Sequence, residues 1–212
     1  MHYDPIKNIF AGIIKKIPAL RIIFYKTLDI MFLRSWYVRK ELRELRKKFG
    51  NNNINIFDAG SGYAQYTYYM SRHLRPCSIY SADIKKDWIE DSKQFFKSRG
   101  INNVRFGIED LKQINHQAEF DIIICVDVME HIEEDVKVFQ NYFRALKNNG
   151  YLLINTPSVF GGSDVHHDDE ISFISEHARD GYSREDLESL TERAADGGRQ
   201  GIHTVHSEYK YR

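Results

Sequence analysis

The chain has 212 residues, two cysteines and a formal net charge of zero, a length that suits one domain with a sizeable hydrophobic core. Two cysteines are too few for a disulfide framework, and no apolar run is long enough to predict a membrane-spanning helix. The N-terminus has no signal-peptide pattern, so we expect a cytoplasmic protein.

The first 50 residues differ from the rest in charge. They contain 12 Lys and Arg but only 4 Asp and Glu, which leaves residues 51–212 net acidic. Apolar residues at helical spacing predict helices over residues 4–17, 20–33 and 34–49, and Pro18 separates the first two.

A basic, amphipathic N-terminal part has three interpretations, which the sequence leaves open. Residues 1–33 could contact an anionic membrane surface, cap the core of the domain or form a homodimer contact. In each case we expect N-terminal helices over residues 1–50 and a second unit over residues 51–212.

A short apolar strand and a glycine turn begin the second unit, within residues 54–64. The strand ends at Asp58, and Gly60 and Gly62 let the backbone turn sharply and approach a ligand closely. Asp83 ends the next predicted strand, 21 positions after Gly62. This spacing suits a carboxylate that binds the hydroxyl groups of a ribose.

Strands and helices alternate along the remaining chain. Strands are predicted over 54–58, 78–83, 104–108, 120–126, 151–155 and within 201–211, and helices over 65–74, 88–97 and 133–146. A capping box at residues 183–186 predicts one more short helix. This order predicts an α/β fold with a doubly wound, mostly parallel sheet that binds ligands at the carboxyl ends of its strands.

Two enzyme families open with a strand, a glycine turn and a helix. The fingerprint of nicotinamide oxidoreductases needs a glycine at position 65, where this chain has Gln65. The stretch Asp58-Ala-Gly60-Ser-Gly62-Tyr-Ala64 instead resembles motif I of the class I S-adenosylmethionine-dependent methyltransferases, which have a Rossmann-like sheet. Ala64 in place of the third glycine is a mild departure.

The resemblance runs to about residue 187 and implies a cofactor site. It implies that S-adenosylmethionine binds and that S-adenosylhomocysteine is the product. By this resemblance Asp83 binds the ribose and Asp110 the adenine amino group. The implied cofactor-binding residues are Asp58, Gly60, Gly62, Asp83, Ile84, Asp110, Leu111 and Val126.

The catalytic candidates follow the fourth predicted strand. Asp127-Val-Met-Glu130-His131 resembles the acid-x-x-Glu-His segment of ubiquinone-biosynthesis O-methyltransferases, which is associated with a divalent metal. A metal-independent site, as in many relatives, is favoured, and Asp127, one methylene shorter than glutamate, also speaks against a metal. Histidine titrates near neutral pH, so His131 is the first candidate for a general base, and Asp127 and Glu130 complete the catalytic set.

Other residues are weaker candidates for the site. The polar segment near residue 166 adds His166, His167 and His177 as alternative bases, and a side chain of the third helix, Tyr37 or Arg39, could reach the carboxylate of the cofactor.

The resemblance implies O-methylation of a small, lipophilic acceptor. A nucleic-acid acceptor is not expected, because the second unit is acidic and no nucleic-acid methyltransferase signature follows the fourth strand. A cofactor-binding or partner-binding subunit without turnover is the alternative. The family sheet ends in a two-strand hairpin, and this chain stops after the first of these strands, so we expect an incomplete C-terminal edge.

Overall fold

A computed structural model describes residues 18–159, 178, 181–195 and 203–206, which form a helix-flanked parallel sheet. The helices are α1 (Pro18–Met31), α2 (Leu33–Lys48), α3 (Gln65–His73), α4 (Lys86–Ser98), α5 (Asp135–Ala145) and α6 (Arg184–Ala195). The strands are β1 (Ile54–Ala59), β2 (Cys77–Asp83), β3 (Val104–Ile108), β4 (Phe120–Val126), β5 (Leu146–Asn155) and β6 (His203–His206).

The six strands lie in the order β3-β2-β1-β4-β5-β6, and every neighbouring pair is parallel. The chain order reverses between β1 and β4, so the sheet is doubly wound as predicted. All carboxyl ends lie at one edge, where such folds bind ligands. The C-terminal prediction placed a strand within 201–211, and its described part is β6, beside β5.

Alternation along the strands divides the core into two faces. On one face, Ile56 and Ile122 pack against Leu42 of α2 and Met70 of α3. The opposite face carries the side chains of residues 57 and 123, which pack against α5 and α6. Side chains of a strand point to alternate faces, so a sheet covered by helices on both sides needs apolar residues at nearly every position. The continuous apolar run of β4 is an example of such a sequence.

The fifth strand begins earlier than predicted. Leu146 follows directly after α5 and pairs with Phe120, and the register then shifts so that Tyr151 pairs with Ile122. The Asn148-Asn149-Gly150 stretch has a composition typical of a turn. It lies within β5 as an irregularity, with a positive φ of 60° at Asn149.

The N-terminal helices pack on the sheet layers. Helix α1 begins at Pro18. The first N–H groups of a helix have no acceptor within it, so proline, which lacks an N–H, loses no helical hydrogen bond at this position. Tyr25 of α1 lies in a cluster with Phe95 and Phe96 of α4. The helix predicted over residues 4–17 lies outside the described residues. None of the helices in the described part of the chain is long and apolar enough to span a membrane.

Two smaller predictions are confirmed. Both cysteines, Cys77 and Cys125, are buried free thiols, and burial raises the pKa of the Cys125 thiol to about 12. The capping box also forms: the N–H of Ser183 donates to Asp186 Oδ2 at 2.8 Å, and the N–H of Asp186 donates to Ser183 Oγ at 3.1 Å. The two bonds satisfy backbone donors at the start of α6.

Candidate active site

The turn between β1 and α3 is built from left-handed residues. Gly60, Gly62 and Ala64 have φ values of 76°, 52° and 59°. A Cβ atom at Gly60 would lie 2.4 Å from Cγ2 of Val128, so only glycine fits there without displacing the segment after β4. The turn therefore brings the ends of β1 and β4 into close contact.

Asp83 joins this turn to the end of β2. Its Oδ2 accepts a hydrogen bond from the Gly62 N–H at 2.8 Å, and its Oδ1 accepts one from the Lys85 N–H at 2.9 Å. A carboxylate has about four acceptor positions, so these two bonds leave capacity for the hydroxyl groups of a ligand. Asp83 thus holds the turn in place and can still bind.

Asp110 lies after β3, beside the end of β2. The backbone N–H of Glu109 donates to the Asp83 carbonyl at 3.2 Å, which links the two strand ends. The half-buried carboxylate of Asp110 accepts bonds from the Lys112 N–H and the Gln113 side chain, at 2.9 and 3.1 Å.

Apolar side chains accompany these two acids. Ile84 is 65% exposed, and Leu111 is buried. Carboxylates accept bonds from hydroxyl and amino groups, while apolar side chains pack against a base. The two carboxylate acceptors and the apolar side chains at this edge therefore fit a nucleoside such as the adenosine of S-adenosylmethionine.

Asp58 supports the turn from inside the protein. Its carboxylate is buried and accepts a hydrogen bond from Oγ1 of Thr67, which lies 3.0 Å from Oγ of Ser81. Burial raises the pKa of Asp58 to about 7; the Thr67 bond opposes this shift, and the charge of nearby Asp83 adds to it. This carboxyl consequently titrates near neutral pH.

The end of β4 is connected to the N-terminal helices. Val126 is half-buried, and Asp127 has a φ of 51°. The carboxylate of Asp127 forms an ion pair with Arg34 of α2, whose guanidinium stacks on the ring of Phe32 at 4.7 Å. The candidate catalytic aspartate therefore already has a cationic partner.

Glu130 and His131 lie on a 3-10 turn, Met129–His131, but differ in exposure. Glu130 is 2% exposed, and its Oε2 accepts a bond from Oγ1 of Thr156 at 3.2 Å. Burial, with the nearby charge of Asp127, raises the pKa of Glu130 above its usual range. His131 is exposed.

The three catalytic candidates are close in sequence but have different surroundings. Asp127 bonds to Arg34, Glu130 bonds to Thr156, and His131 is on the surface. Within residues 18–159, 178, 181–195 and 203–206, no group of three His, Cys, Asp or Glu side chains is arranged to hold a metal ion.

Ala178 and Tyr182 lie against the ends of β4 and β5. The Ala178 N–H donates to the Glu130 carbonyl at 2.8 Å, and the Tyr182 N–H donates to the Pro157 carbonyl at 3.0 Å. The Tyr182 hydroxyl also lies 3.2 Å from the Met129 carbonyl. The alternative bases His166, His167 and His177 lie outside the described residues.

The two α2 candidates for the cofactor carboxylate contact other side chains of the N-terminal helices. Arg39 pairs with Asp29 at 2.5 Å, and Tyr37 packs against Trp36. Arg34 reaches the β4 end instead.

Sequence reasoning missed three contributors to this edge: Arg34, Thr67 and Thr156. Each acts through a partner distant in the sequence, so no local pattern marks it. The first turn of α2 carried only a weak signal, a cation beside an exposed aromatic residue.

The comparisons with known proteins agree with this geometry. The profile of a family described as a methyltransferase domain matches residues 50–195. The solved structure of a SAM-dependent methyltransferase from Aquifex aeolicus has a TM-score of 0.56, with 19% identity over 72% of this chain and 78% of that one. This likeness shows the fold.

Two curated relatives differ in their named activities. The ubiquinone biosynthesis O-methyltransferase of Rickettsia canadensis is 30% identical over 81 residues, which cover 37% of this chain and 33% of that protein. The tRNA U34 carboxymethyltransferase of Helicobacter acinonychis is 25% identical over 134 residues, which cover 61% of this chain and 48% of that protein. The chain thus spans less than half the length of either relative.

The profile match covers more than half of the chain, and the sheet order, the glycine turn and the acids at the strand ends agree with it. The chain belongs to the methyltransferase domain family and has the fold of the class I, Rossmann-like methyltransferases.

Proposed function

We propose that the chain transfers the methyl group of S-adenosylmethionine to an oxygen atom of a small, lipophilic molecule. The observation that carries the proposal is the hydrogen bond from the Gly62 N–H to Asp83, which holds this carboxylate against the glycine turn. The named activity of the ubiquinone biosynthesis relative supports the choice of oxygen.

On the donor side, Asp83 would hold the ribose hydroxyl groups and Asp110 the adenine amino group, with Ile84 and Leu111 beside the base. Gly60 and Gly62 would let the backbone approach the methionine part, and the half-buried Val126 would line the same crevice. Asp58 would act indirectly, by supporting the turn. S-adenosylmethionine supplies an activated methyl group, so positioning provides much of the catalysis.

On the acceptor side, His131 would take the proton of the acceptor hydroxyl as the oxygen–carbon bond forms and the sulfur–carbon bond breaks. His131 is an exposed residue of the turn that follows β4. The buried Glu130 would position the 3-10 turn through Thr156. Asp127 would hold Arg34 at the end of β4.

Calorimetry with S-adenosylhomocysteine tests the donor site. Asp83→Ala should weaken binding by roughly 10- to 100-fold, because hydrogen bonds to charged groups contribute about 1.5–3 kcal/mol. The exposed α4 carboxylate of Asp87 gives a matched control, and Asp87→Ala should bind like the wild type. Equal affinities for wild type and Asp83→Ala would reject this site.

A mass-spectrometric screen tests the acceptor. Quinones, phenols and hydroxylated lipids would be compared with tRNA, which is the second candidate because of the Helicobacter relative. The net acidic charge of residues 51–212 opposes contact with phosphates, so we expect methylation of a small molecule. Methylated tRNA without a methylated small molecule would overturn the proposal. If the chain binds S-adenosylmethionine but methylates none of the compounds in the screen, the result would favour the alternative of a cofactor-binding or partner-binding subunit without turnover.

Variants at the β4 end test the roles of the catalytic candidates once an acceptor is found. His131→Ala should lower turnover strongly, and Glu130→Gln should lower it less. The same assays in a chelator separate a metal role from a base role: loss of wild-type activity on chelation would show that a metal is needed. Full activity of both variants would remove this site from the mechanism.

A membrane contact through residues 1–33 is the second part of the proposal. The corner between α1 and α2 exposes apolar side chains, with Ile30 at 86%, Leu33 at 70% and Trp36 at 54% exposure. The excess of basic over acidic residues in the first 50 positions would attract an anionic bilayer, at about 1 kcal/mol for each well-placed cation. A lipophilic acceptor could then be taken up beside the donor site.

Trp36 can report this contact, because the chain has only two tryptophans. In a Trp88→Phe background, vesicles containing phosphatidylserine should shift the emission of Trp36 to shorter wavelength, and neutral vesicles should not. Ile30→Ser/Leu33→Ser should abolish the shift. Concentration-dependent dimerisation without a vesicle shift would instead favour the homodimer interpretation.

A further inference from the structure

Arg21 of α1 connects this helix to the glycine turn. Its buried guanidinium donates to the backbone carbonyl of Tyr63 at 2.8 Å and to Oγ of Ser92 at 2.8 Å. It also forms an ion pair with Asp91 at 2.5 Å and lies over the ring of Phe95 at 4.7 Å. A buried cation with this many partners has one defined position, and Tyr63 is its contact within the turn.

Tyr25 lies one helical turn after Arg21 and bonds to the same carbonyl. Its hydroxyl donates to the Tyr63 carbonyl and accepts a bond from Nε of Arg21 at 2.7 Å. Burial raises the pKa of Tyr25 to about 12, so the hydroxyl keeps its proton at neutral pH. The ring packs edge-on against Phe95 and beside Tyr68. Two donors from α1 therefore fix one carbonyl of the turn.

The position of that carbonyl matters because of its neighbours. Tyr63 lies between Gly62 and Ala64, which both have left-handed φ values of 52° and 59°. The Gly62 N–H is the donor to Asp83. Left-handed residues are held by the structure around them, since an alanine in this region costs roughly 1–2 kcal/mol. Helix α1 supplies part of that restraint.

We propose that Arg21 and Tyr25 are positioning residues for the cofactor, and that α1 is a functional part of the donor site. Helix α1 lies outside the residues that match the family profile, 50–195. By clamping the Tyr63 carbonyl, the two side chains keep the Gly62 N–H on Asp83 before the cofactor arrives. Binding then needs less ordering of the turn, which raises affinity. The proposal rests on the proposed donor site at this turn.

Tyr25→Phe is the most direct test, because it removes one hydroxyl and keeps the packed ring. Tyr69→Phe is a matched control: this buried tyrosine of α3 loses a bond from Arg43, with a length of 3.1 Å, and does not contact the Tyr63 carbonyl. Arg21→Lys keeps the positive charge but loses the fork of donors.

Two measurements on the full chain are needed. Hydrogen exchange of the cofactor-free protein should be faster at residues 62–64 in Tyr25→Phe and unchanged there in Tyr69→Phe. Calorimetry should give S-adenosylhomocysteine binding weaker by roughly three- to tenfold for Tyr25→Phe, the equivalent of about one hydrogen bond, and wild-type affinity for Tyr69→Phe. Arg21→Lys should weaken binding in the same direction.

Each alternative result has a definite meaning. Unchanged exchange at residues 62–64 in Tyr25→Phe would overturn the clamp. Faster exchange with wild-type affinity would overturn the positioning role and leave a structural contact only. A wild-type chain that binds no S-adenosylhomocysteine would overturn both this proposal and the proposed donor site. If Asp83→Ala loses binding and Tyr25→Phe does not, only the positioning role fails.

Discussion

Replacing Asp58 by asparagine should increase the stability of the cofactor-free protein relative to wild type, and the gain should grow as the pH rises. The Asp58 carboxyl lies buried beneath the glycine turn, and burial raises its pKa from the ordinary 3.8 to about 7. Its proton is therefore bound more tightly in the folded than in the unfolded chain. The resulting stability is fully present below about pH 4 and is lost as the pH rises through about 7.

The size of the effect follows from the pKa difference. One pKa unit corresponds to about 1.4 kcal/mol, so from pH 5 to pH 8 the carboxyl loses on the order of 3 kcal/mol of stability. Asparagine does not titrate and keeps an oxygen that can accept the Thr67 hydrogen bond. The difference in unfolding free energy, Asp58→Asn minus wild type, should therefore increase by about 3 kcal/mol over this range.

Denaturant unfolding of both proteins at pH 5, 6, 7 and 8 measures this difference directly. Other titrating groups are common to both chains and cancel in the subtraction. Asp87→Asn, which removes an exposed carboxylate on α4, is the matched control for the loss of one acidic side chain. A constant difference for Asp58→Asn, or one that falls with rising pH, would refute the reasoning about this buried carboxyl.

Three further predictions concern close contacts. Gly60→Ala places a Cβ atom 2.4 Å from Val128 at a left-handed φ, so the free energy of unfolding should fall by roughly 2–4 kcal/mol. Val128→Ala should restore only part of this loss. Gly107→Ala places a Cβ atom 1.8 Å from Oη of Tyr80 and should lower the free energy of unfolding by roughly 1–3 kcal/mol. The loss should be smaller in a Tyr80→Phe background, and equal losses in both backgrounds would contradict the contact. Tyr182→Phe should lower the unfolding free energy by about 1 kcal/mol in denaturant titrations, and unchanged stability would argue against its buried hydrogen bonds.

Most of the sheet could be predicted because its signals are local. The strand at residues 104–108 has the predicted bounds, and so does the strand at 120–126, since an apolar run between polar turns defines a buried strand. Asp83 follows from the same logic, because it comes where a predicted strand ends, whereas Asp110 was expected only from the resemblance to the methyltransferases. The start of β5 was predicted five residues late, because the Asn-Asn-Gly stretch is typical of a turn and the pairing of Leu146 with Phe120 decides otherwise.

The contacts that complete the site could not be predicted in this way. Arg34 meets Asp127, Thr156 meets Glu130, and Arg21 meets Tyr63, all across large sequence separations. Helix periodicity places such side chains on a face but does not identify their partners. The exposure of His131 beside the buried Glu130 is a similar case, since neighbouring residues of a short helical turn point in different directions.

The backbone bonds of Ala178 and Tyr182 have a consequence for how much the chain between residues 157 and 178 can vary in length. The Tyr182 N–H donates to the Pro157 carbonyl, and the Ala178 N–H donates to the Glu130 carbonyl. The 18 residues from 160 to 177 therefore lie in sequence between two anchored positions. Closing a longer loop between fixed ends costs little additional entropy, because the cost grows only with the logarithm of loop length. We therefore expect chain lengthening between residues 157 and 178 to cost the fold little stability, while Asp83 and the glycine turn stay as they are.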